Sequence, residues 1–293
     1  FDLGDDRLKL METFDESSCD FLLVSFSSDW LFTPQQSRDV VNALTALDKS
    51  VTYAEITTGA GHDAFLIDAD VEQYGPLVRA KLGDERSDAQ PVSMADQAIL
   101  DQIPRDASVL DLGCGCGELL SALRQRGNEH VMGVEVAQVN LLAAASRGLN
   151  VIDYDLNEGL PAFIDDQFDY VVLNSTLQAV HNVESLFAEM MRVGKRAVVS
   201  FPNFAYRSLR DHYSKEGRSP KASGQFDHEW HNTPNRRFPS ILDVLEFCEE
   251  RDVTVEHAVY LDVAGGRFID SDDNPNLNAD TAVLVLRSRN KHV

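Results

Sequence analysis

The 293-residue sequence predicts an α/β fold built on mostly parallel sheet. Short apolar runs suited to buried strands alternate with amphipathic helical segments along most of the chain. This alternation is typical of parallel strands covered by helices on both faces. A polar stretch containing Gly and Pro, residues 83–93, interrupts the alternation. It predicts a linker between a first unit, 1–82, and a second unit, 94–293.

The first unit is predicted to run strand, helix, strand, helix. Phe21–Phe26 is a continuous apolar run, and Val51–Ile56 is a second apolar segment of similar length. A helix is predicted over about 36–47, where aliphatic residues recur on one helical face. A further helix is predicted over 70–81. This order favours two neighbouring parallel strands.

The second unit repeats the alternation and predicts a seven-stranded, mostly parallel sheet with one reversed strand. The predicted strands are Ser108–Leu112, Val131–Val136, Asn150–Asp153, Phe168–Leu173, Arg196–Phe201, Thr254–Leu261 and Thr281–Arg287. Helices are predicted over 117–126, 138–147, 183–192 and 240–251. No helical pattern separates the last two strands, so they are predicted to pair as an antiparallel hairpin.

Charge and hydropathy limit the partners of the protein. The net charge is −22, and residues 1–90, with 7 basic and 18 acidic residues, carry half of it. Neither half offers the basic surface that nucleic acid or an anionic membrane requires. No apolar run approaches the roughly 18 residues of a membrane-spanning helix. With no visible leader and four scattered cysteines, we expect a cytoplasmic protein without disulfides or a metal site.

A glycine-rich turn in the second unit predicts a nucleotide-type cofactor. Asp111-Leu-Gly-Cys-Gly-Cys-Gly117 lies between a strand and a helix. Glycines lack a side chain, so a ligand can approach the backbone, and free N–H groups at the helix start face that ligand. Glu135 ends the next strand, where a carboxylate accepts hydrogen bonds from ribose hydroxyls.

The residues around this turn favour S-adenosylmethionine over a dinucleotide. Glu118 stands where the dinucleotide fingerprint requires Gly, and the sequence has no P-loop. Asp111 adds negative charge, which suits a ligand with an ammonium and a sulfonium. Asp155 is predicted to accept a bond from the adenine amino group, and Asn174 to lie near the methyl group. The predicted cofactor-binding residues are Asp111, Gly113, Gly115, Gly117, Glu135, Asp155 and Asn174.

The second unit resembles the class I S-adenosylmethionine-dependent methyltransferases, which have a Rossmann-like fold. Three further segments, Gln178-Ala, Met191–Phe204 and Glu229–Asn235, resemble MetW, a methyltransferase-like family associated with methionine biosynthesis. The resemblance covers roughly residues 93–287. Cys116 departs from the Asp or Asn found in many MetW-like turns. His181, His228 and His231 are candidate bases for a methyl acceptor, although a loop histidine with satisfied hydrogen bonds is the more common case.

The first unit carries a different pattern. Asp29 follows the first strand and His62 follows the second, which is the end of the Ser…Asp…His order of α/β-hydrolase folds. Val24–Phe32 and Gly61–Leu66 resemble MetX, the homoserine O-acetyltransferase or succinyltransferase family. The resemblance implies that Asp29 and His62 complete a catalytic triad and that Asp63 binds the amino group of L-homoserine.

The nucleophile of such a triad is absent from these residues, since no G-x-S-x-G elbow occurs in the chain. We therefore expect the C-terminal part of a longer MetX–MetW fusion, with the N-terminal half of the acyltransferase fold missing; a decayed remnant kept as a scaffold is the alternative. The acyl donor would be acetyl-CoA or succinyl-CoA. The resemblance also implies a homodimer.

Three functions follow from this sequence. The first is a methionine-biosynthesis protein in which a MetW-like S-adenosylmethionine-binding domain supports or regulates a homoserine O-acyltransferase. The second is a stand-alone methyltransferase of a small molecule or protein. The third is a non-catalytic scaffold module. The sequence does not identify a methyl acceptor.

Overall fold

The computed structural model describes residues 7–83, 92–219 and 230–289, and ten strands in them form one sheet. The strands are β1 (Phe21–Phe26), β2 (Val51–Ile56), β3 (Val109–Leu112), β4 (Val131–Glu135), β5 (Val151–Asp153), β6 (Phe168–Asn174), β7 (Gly194–Pro202), β8 (Val253–Asp262), β9 (Arg267–Ile269) and β10 (Thr281–Ser288). Their order across the sheet is β1-β2-β5-β4-β3-β6-β7-β10-β8-β9.

Helices cover both faces of the sheet. They are α1 (Arg7–Phe14), α2 (Pro34–Ala46), α3 (Asp68–Lys81), α4 (Met94–Gln102), α5 (Glu118–Arg126), α6 (Gln138–Ser146), α7 (Val183–Val193), α8 (Arg207–Glu216), α9 (Ile241–Glu250) and α10 (Pro275–Asn278). Short 3₁₀ helices span Gly61–Leu66, Leu156–Glu158 and Leu177–Ala179. None of the helices in the described ranges is long and apolar enough to cross a membrane.

The seven strands predicted for the second unit are all present, and β10 is reversed against both of its neighbours. The last two predicted strands therefore pair in antiparallel fashion, as expected. Helices α1, α4, α8 and α10 and the edge strand β9 were not predicted. Most of the predicted linker, residues 84–91, lies outside the described residues.

The first segment does not form a separate hydrolase-like sheet within the described residues. Instead, β2 pairs in parallel with β5 through Tyr53 and Ile152, so that β1 and β2 extend the sheet of the second segment. Two parallel strands alone cannot bury both of their apolar faces. Pairing with the edge of β5 satisfies backbone groups that would otherwise be exposed.

The two segments also share their hydrophobic cores. On one face, Val41 and Leu44 of α2 belong to the same buried cluster as Met132 and Ile152 of the second segment. On the other face, Leu77 of α3 lies in a cluster with buried side chains of α4, α5 and α6. The described residues therefore pack as one α/β unit, although the motifs of the two segments differ.

The parallel strands bring several predicted residues to one edge. Strands β1, β2, β5, β4, β3, β6 and β7 are parallel neighbours, so their carboxyl ends lie along the same side of the sheet. Ligand sites of open parallel sheets lie at this carboxyl edge. Asp29 follows β1, Asp111 is the penultimate residue of β3 and Glu135 ends β4, so the three lie along this edge.

Candidate functional site

The glycine turn after β3 combines a left-handed backbone with open space. Gly113, Gly115 and Gly117 have φ angles of +71°, +57° and +84°. A Cβ on Gly113 would lie 2.8 Å from Thr176 Oγ1, and one on Gly117 would lie 2.4 Å from Leu149 Cδ1. A Cβ on Gly115 would meet no atom within 4 Å. The outer glycines are thus required by packing, whereas Gly115 borders open space.

We expect two glycine substitutions to separate packing from ligand contact. Gly117→Ala should lower the free energy of unfolding by about 3 kcal/mol, because strain at positive φ adds to a steric overlap. Gly115→Ala should cost only about 1 kcal/mol, from the positive φ alone. Urea unfolding of the two variants measures this difference. Equal destabilisation by both substitutions would contradict the packing roles assigned here.

Glu135 connects the end of β4 to the glycine turn. Its side chain is 8% exposed, and Oε2 accepts a hydrogen bond from Gly115 N at 2.8 Å. Oε1 accepts bonds from Val136 N at 2.9 Å and Ala137 N at 2.7 Å. An ionised carboxylate has about four lone-pair sites, so Glu135 can also accept a hydrogen bond from a ligand hydroxyl.

Asp111 is the least satisfied polar side chain near the turn. It is 1% exposed, and its Oδ1 has no hydrogen-bond partner in the described part of the chain. Burial first, and then the nearby carboxylates of Asp96, Glu135 and Glu118, raise the pKa of Asp111 to about 8. A buried carboxyl group without a partner costs free energy unless a donor or a positive charge reaches it. The site is therefore suited to a cationic ligand.

The other two predicted residues, Asn174 and Asp155, make hydrogen bonds within the protein. Asn174 ends β6, where its Nδ2 donates to Asp96 Oδ1 at 2.7 Å and its Oδ1 accepts from Ser200 Oγ at 2.5 Å. Asp155 uses Oδ1 to cap the short helix Leu156–Glu158 by accepting from Asn157 N at 2.9 Å. Asn174 is thus fixed beside Asp96, and Asp155 is engaged in a local turn.

Two acidic residues of this edge were missed by the sequence reasoning. Asp96 forms a capping box with Ser93 at the start of α4. The Ser-x-x-Asp pattern in the sequence could have predicted this helix start. Asp153 ends β5, and burial, followed by the charge of Glu55, raises its pKa to about 6. The proximity of Asp153 to Glu55 depends on the β2–β5 pairing, which no local pattern indicated.

Two of the three candidate histidines, His181 and His231, lie in the described residues. His181 is exposed, and His231 lies beside the exposed ring of Trp230 at a centroid distance of 5.4 Å. His228 lies outside the described residues. Within the described ranges, no group of three or more His, Cys, Asp or Glu side chains is placed to hold a metal ion.

Asp29 and His62 lie in contact at the other end of the same sheet edge. Asp29 Oδ2 lies 3.0 Å from His62 Nδ1, while Oδ1 accepts from the N–H groups of Leu31 and Phe32 at 2.8 and 3.0 Å. Burial acts to raise the pKa of Asp29, but these hydrogen bonds outweigh it and hold the pKa below its usual range. The carboxylate is therefore well placed to orient the imidazole.

The surroundings of this pair are apolar and exposed. Phe32 and Phe65 flank the His62 ring, with ring centroids 5.4 and 5.8 Å away. Trp30 and Phe32 are 76% and 68% exposed. Asp63 is exposed on the 3₁₀ helix that carries His62.

The strand order and the glycine turn define the fold of S-adenosylmethionine-dependent methyltransferases. A solved structure of a putative methyltransferase of this class from Listeria monocytogenes aligns with a TM-score of 0.50 and 12% identity, covering 67% of this chain and 98% of that one. At this identity the likeness concerns the fold alone. The family model described as methionine biosynthesis protein MetW matches residues 94–286. The chain belongs to the MetW family.

One relative matches both segments. The bifunctional methionine biosynthesis protein MetXA/MetW of Rhodopirellula baltica is 62% identical over 304 residues, which cover 99% of this chain and 49% of that protein. The chain therefore spans about half the length of this relative.

Short stretches of the chain also match acyltransferases. The homoserine O-succinyltransferase of Cellvibrio japonicus is 56% identical over 61 residues, covering 20% of this chain and 16% of that protein. The homoserine O-acetyltransferase of Rhodopseudomonas palustris is 49% identical over 73 residues, covering 25% of this chain and 18% of that protein. These matches are short, and they do not separate the two acyl donors.

Proposed function

We propose that the glycine-turn site binds S-adenosylmethionine. The observation that carries this proposal is the buried Asp111 Oδ1, which has no hydrogen-bond partner among the described residues, beside the open space at Gly115. Asp111 would face the positive charge of the ligand, and Glu135 would accept bonds from the ribose hydroxyls. Asp155 would have to use its remaining acceptor capacity for the adenine amino group. Bound there, the cofactor would supply an activated methyl group.

We expect Asp111→Asn to change the pH dependence of stability. The ordinary pKa of this carboxyl is 3.8, and the folded protein raises it to about 8. Between these values the native state holds a proton that the unfolded chain has lost, so stability falls as the pH rises. Relative to wild type, Asp111→Asn should therefore gain on the order of a few kcal/mol between pH 5 and pH 9. Urea unfolding at the two pH values measures this gain.

Asp111→Asn should also change how the affinity for S-adenosylmethionine depends on pH. Ionised Asp111 attracts a cation, so the affinity for S-adenosylmethionine should rise from pH 7 to pH 9 more steeply in wild type than in Asp111→Asn. Glu72→Gln, an exposed change on α3, is the control and should leave both dependences unaltered. Identical pH profiles for wild type and Asp111→Asn would contradict the proposed role.

For the first segment, we infer the Asp/His part of a homoserine O-acyltransferase. His62 would act as the general base, held by Asp29, and Asp63 would bind the ammonium of L-homoserine. The serine nucleophile and the site for acetyl-CoA or succinyl-CoA would belong to the N-terminal half of the acyltransferase fold. The exposed apolar side chains around His62 offer a surface on which that half could pack.

The combined function that we propose is a MetW domain that supports or regulates the acyltransferase segment. Its physical basis is the seam between the segments. Gln138 Nε2, on the helix that follows Glu135, donates to Glu55 O of β2 at 3.1 Å. Ser50 Oγ donates to Asn150 Oδ1 at 3.0 Å across the same seam. Loss of the second segment would expose the edge of β2 and the apolar face of α3.

Acyl transfer by a chain that also carries the serine-bearing half tests this combined function. The rate should change when S-adenosylmethionine is saturating, and activity should fall when residues 94–293 are deleted. Activity unaffected by both treatments would contradict support and regulation alike. An acyl-transfer rate that falls when the domain is deleted but does not respond to the cofactor would indicate that the domain is a scaffold. Release of S-adenosylhomocysteine with an added metabolite would instead indicate a stand-alone methyltransferase.

A further inference from the structure

A cavity lies at the carboxyl edge, beyond the glycine turn. Its volume is about 380 Å³, and it is lined by residues of α8, of β9 and of α10. Strands β7 and β8 end beside it, and β10 begins there. The cavity is therefore on the same edge as Asp111 but several strands away, and none of the residues assigned above lines it.

Among the described residues, three cationic side chains line this cavity in a protein whose net charge is −22. Arg207 and Lys215 come from α8, and Arg267 comes from β9. The hydroxyl groups of Tyr206 and Ser208 and the amide of Asn278 add polar contacts, and Asp211 is the one carboxylate among the described lining residues. These cations come from two separate elements and line the same cavity. They are therefore more than the charged, solvent-facing side of a single helix.

Some N–H donors of these cations are not bonded to the described carboxylates nearby. Arg207 Nη2 donates to Asn278 Oδ1 at 3.0 Å, and among the described residues no carboxylate lies within ion-pair distance of Arg207. Arg267 pairs with Asp262 through Nε at 2.8 Å, and a guanidinium has four further N–H donors. Lys215 pairs with Asp211 at 3.2 Å, with both side chains more than half exposed.

From these contacts we infer that the cavity binds a small molecule through an oxyanion, either a carboxylate or a phosphate group. Arg207 provides the primary contact, because its guanidinium is positioned by an amide and not neutralised by an acid. Arg267 is held by buried Asp262 and provides a second, oriented guanidinium from β9. Planar guanidinium groups suit both carboxylate and phosphate oxygens. This inference does not depend on S-adenosylmethionine binding.

Calorimetric titration of the 293-residue chain with sodium succinate and with sodium phosphate tests the inference, with chloride adjusted to keep the ionic strength constant. We expect saturable millimolar or tighter binding of at least one probe. Arg207→Gln should weaken it about tenfold or more, corresponding to about 1.4 kcal/mol. Arg105→Gln, which removes an exposed arginine before β3, should change it less than about twofold. The tighter probe distinguishes a carboxylate ligand from a phosphate ligand.

Absence of saturable binding of both probes would overturn the inference, and so would equal binding by wild type and Arg207→Gln. Should Arg207→Gln fail to fold, Arg267→Gln provides the second test, with the same loss expected. Titration of the same samples with S-adenosylmethionine reports separately on the glycine-turn site. Failure at one site can therefore be distinguished from failure at the other.

Discussion

Glu135→Ala should weaken the binding of S-adenosylmethionine by more than tenfold, that is by more than about 1.4 kcal/mol. Two causes act together. The substitution removes the carboxylate proposed to accept the ribose hydroxyls, and it leaves the N–H groups of Gly115, Val136 and Ala137 without their acceptor. The turn that borders the ligand would lose its anchor. Calorimetric titration with S-adenosylmethionine measures the loss.

Two further variants separate the causes. Glu135→Gln keeps an acceptor oxygen but removes the charge, so its affinity should lie between those of wild type and Glu135→Ala. Glu72→Ala removes an exposed acid from α3 and should bind as wild type does. Wild-type affinity in Glu135→Ala would contradict the assignment of the glycine-turn site.

Asp29→Asn should lower acyl transfer by about 10⁴-fold in a chain that carries the serine-bearing half, by analogy with the Asp→Asn change in the serine-protease triad. Asp29 lies 3.0 Å from His62 Nδ1 and is itself held by two backbone N–H groups. An asparagine would keep this shape but would not stabilise an imidazolium. The loss should therefore fall on kcat, with a smaller effect on KM for L-homoserine.

Asp63 provides the contrast for this prediction. If it binds the ammonium of L-homoserine, Asp63→Asn should raise KM more than it lowers kcat. Asp15→Asn, a change of an exposed residue after α1, is the matched control. An Asp29→Asn enzyme with undiminished kcat would show that the contact with His62 has only a structural role.

Local patterns in the sequence predicted most of the second segment. The alternation of strands and helices and the run of glycines from Gly113 to Gly117 reflect interactions between near neighbours in the chain. The positive φ angles at these glycines agree with a turn that only glycine adopts without strain. Local patterns did not indicate that Asp155 also caps a short helix, and its contact with the adenine amino group stays a prediction.

The joining of the two segments could not be predicted in the same way. An apolar run such as Val51–Ile56 has the same pattern whether its free edge ends a sheet or pairs with another strand. The parallel pair of Tyr53 with Ile152 links residues far apart in sequence. Asp153 and Glu55 approach each other only through that pairing, so the elevated pKa of Asp153 had no local signature.

The central claim is that the glycine turn, Asp111 and Glu135 form an S-adenosylmethionine site. Calorimetric titration of the unmodified 293-residue chain with S-adenosylmethionine tests it most directly. The account predicts one site per chain with a dissociation constant in the micromolar range, which corresponds to about −8 kcal/mol. Absence of binding at millimolar ligand would contradict it, and the MetW domain would then be best regarded as a scaffold for the acyltransferase segment.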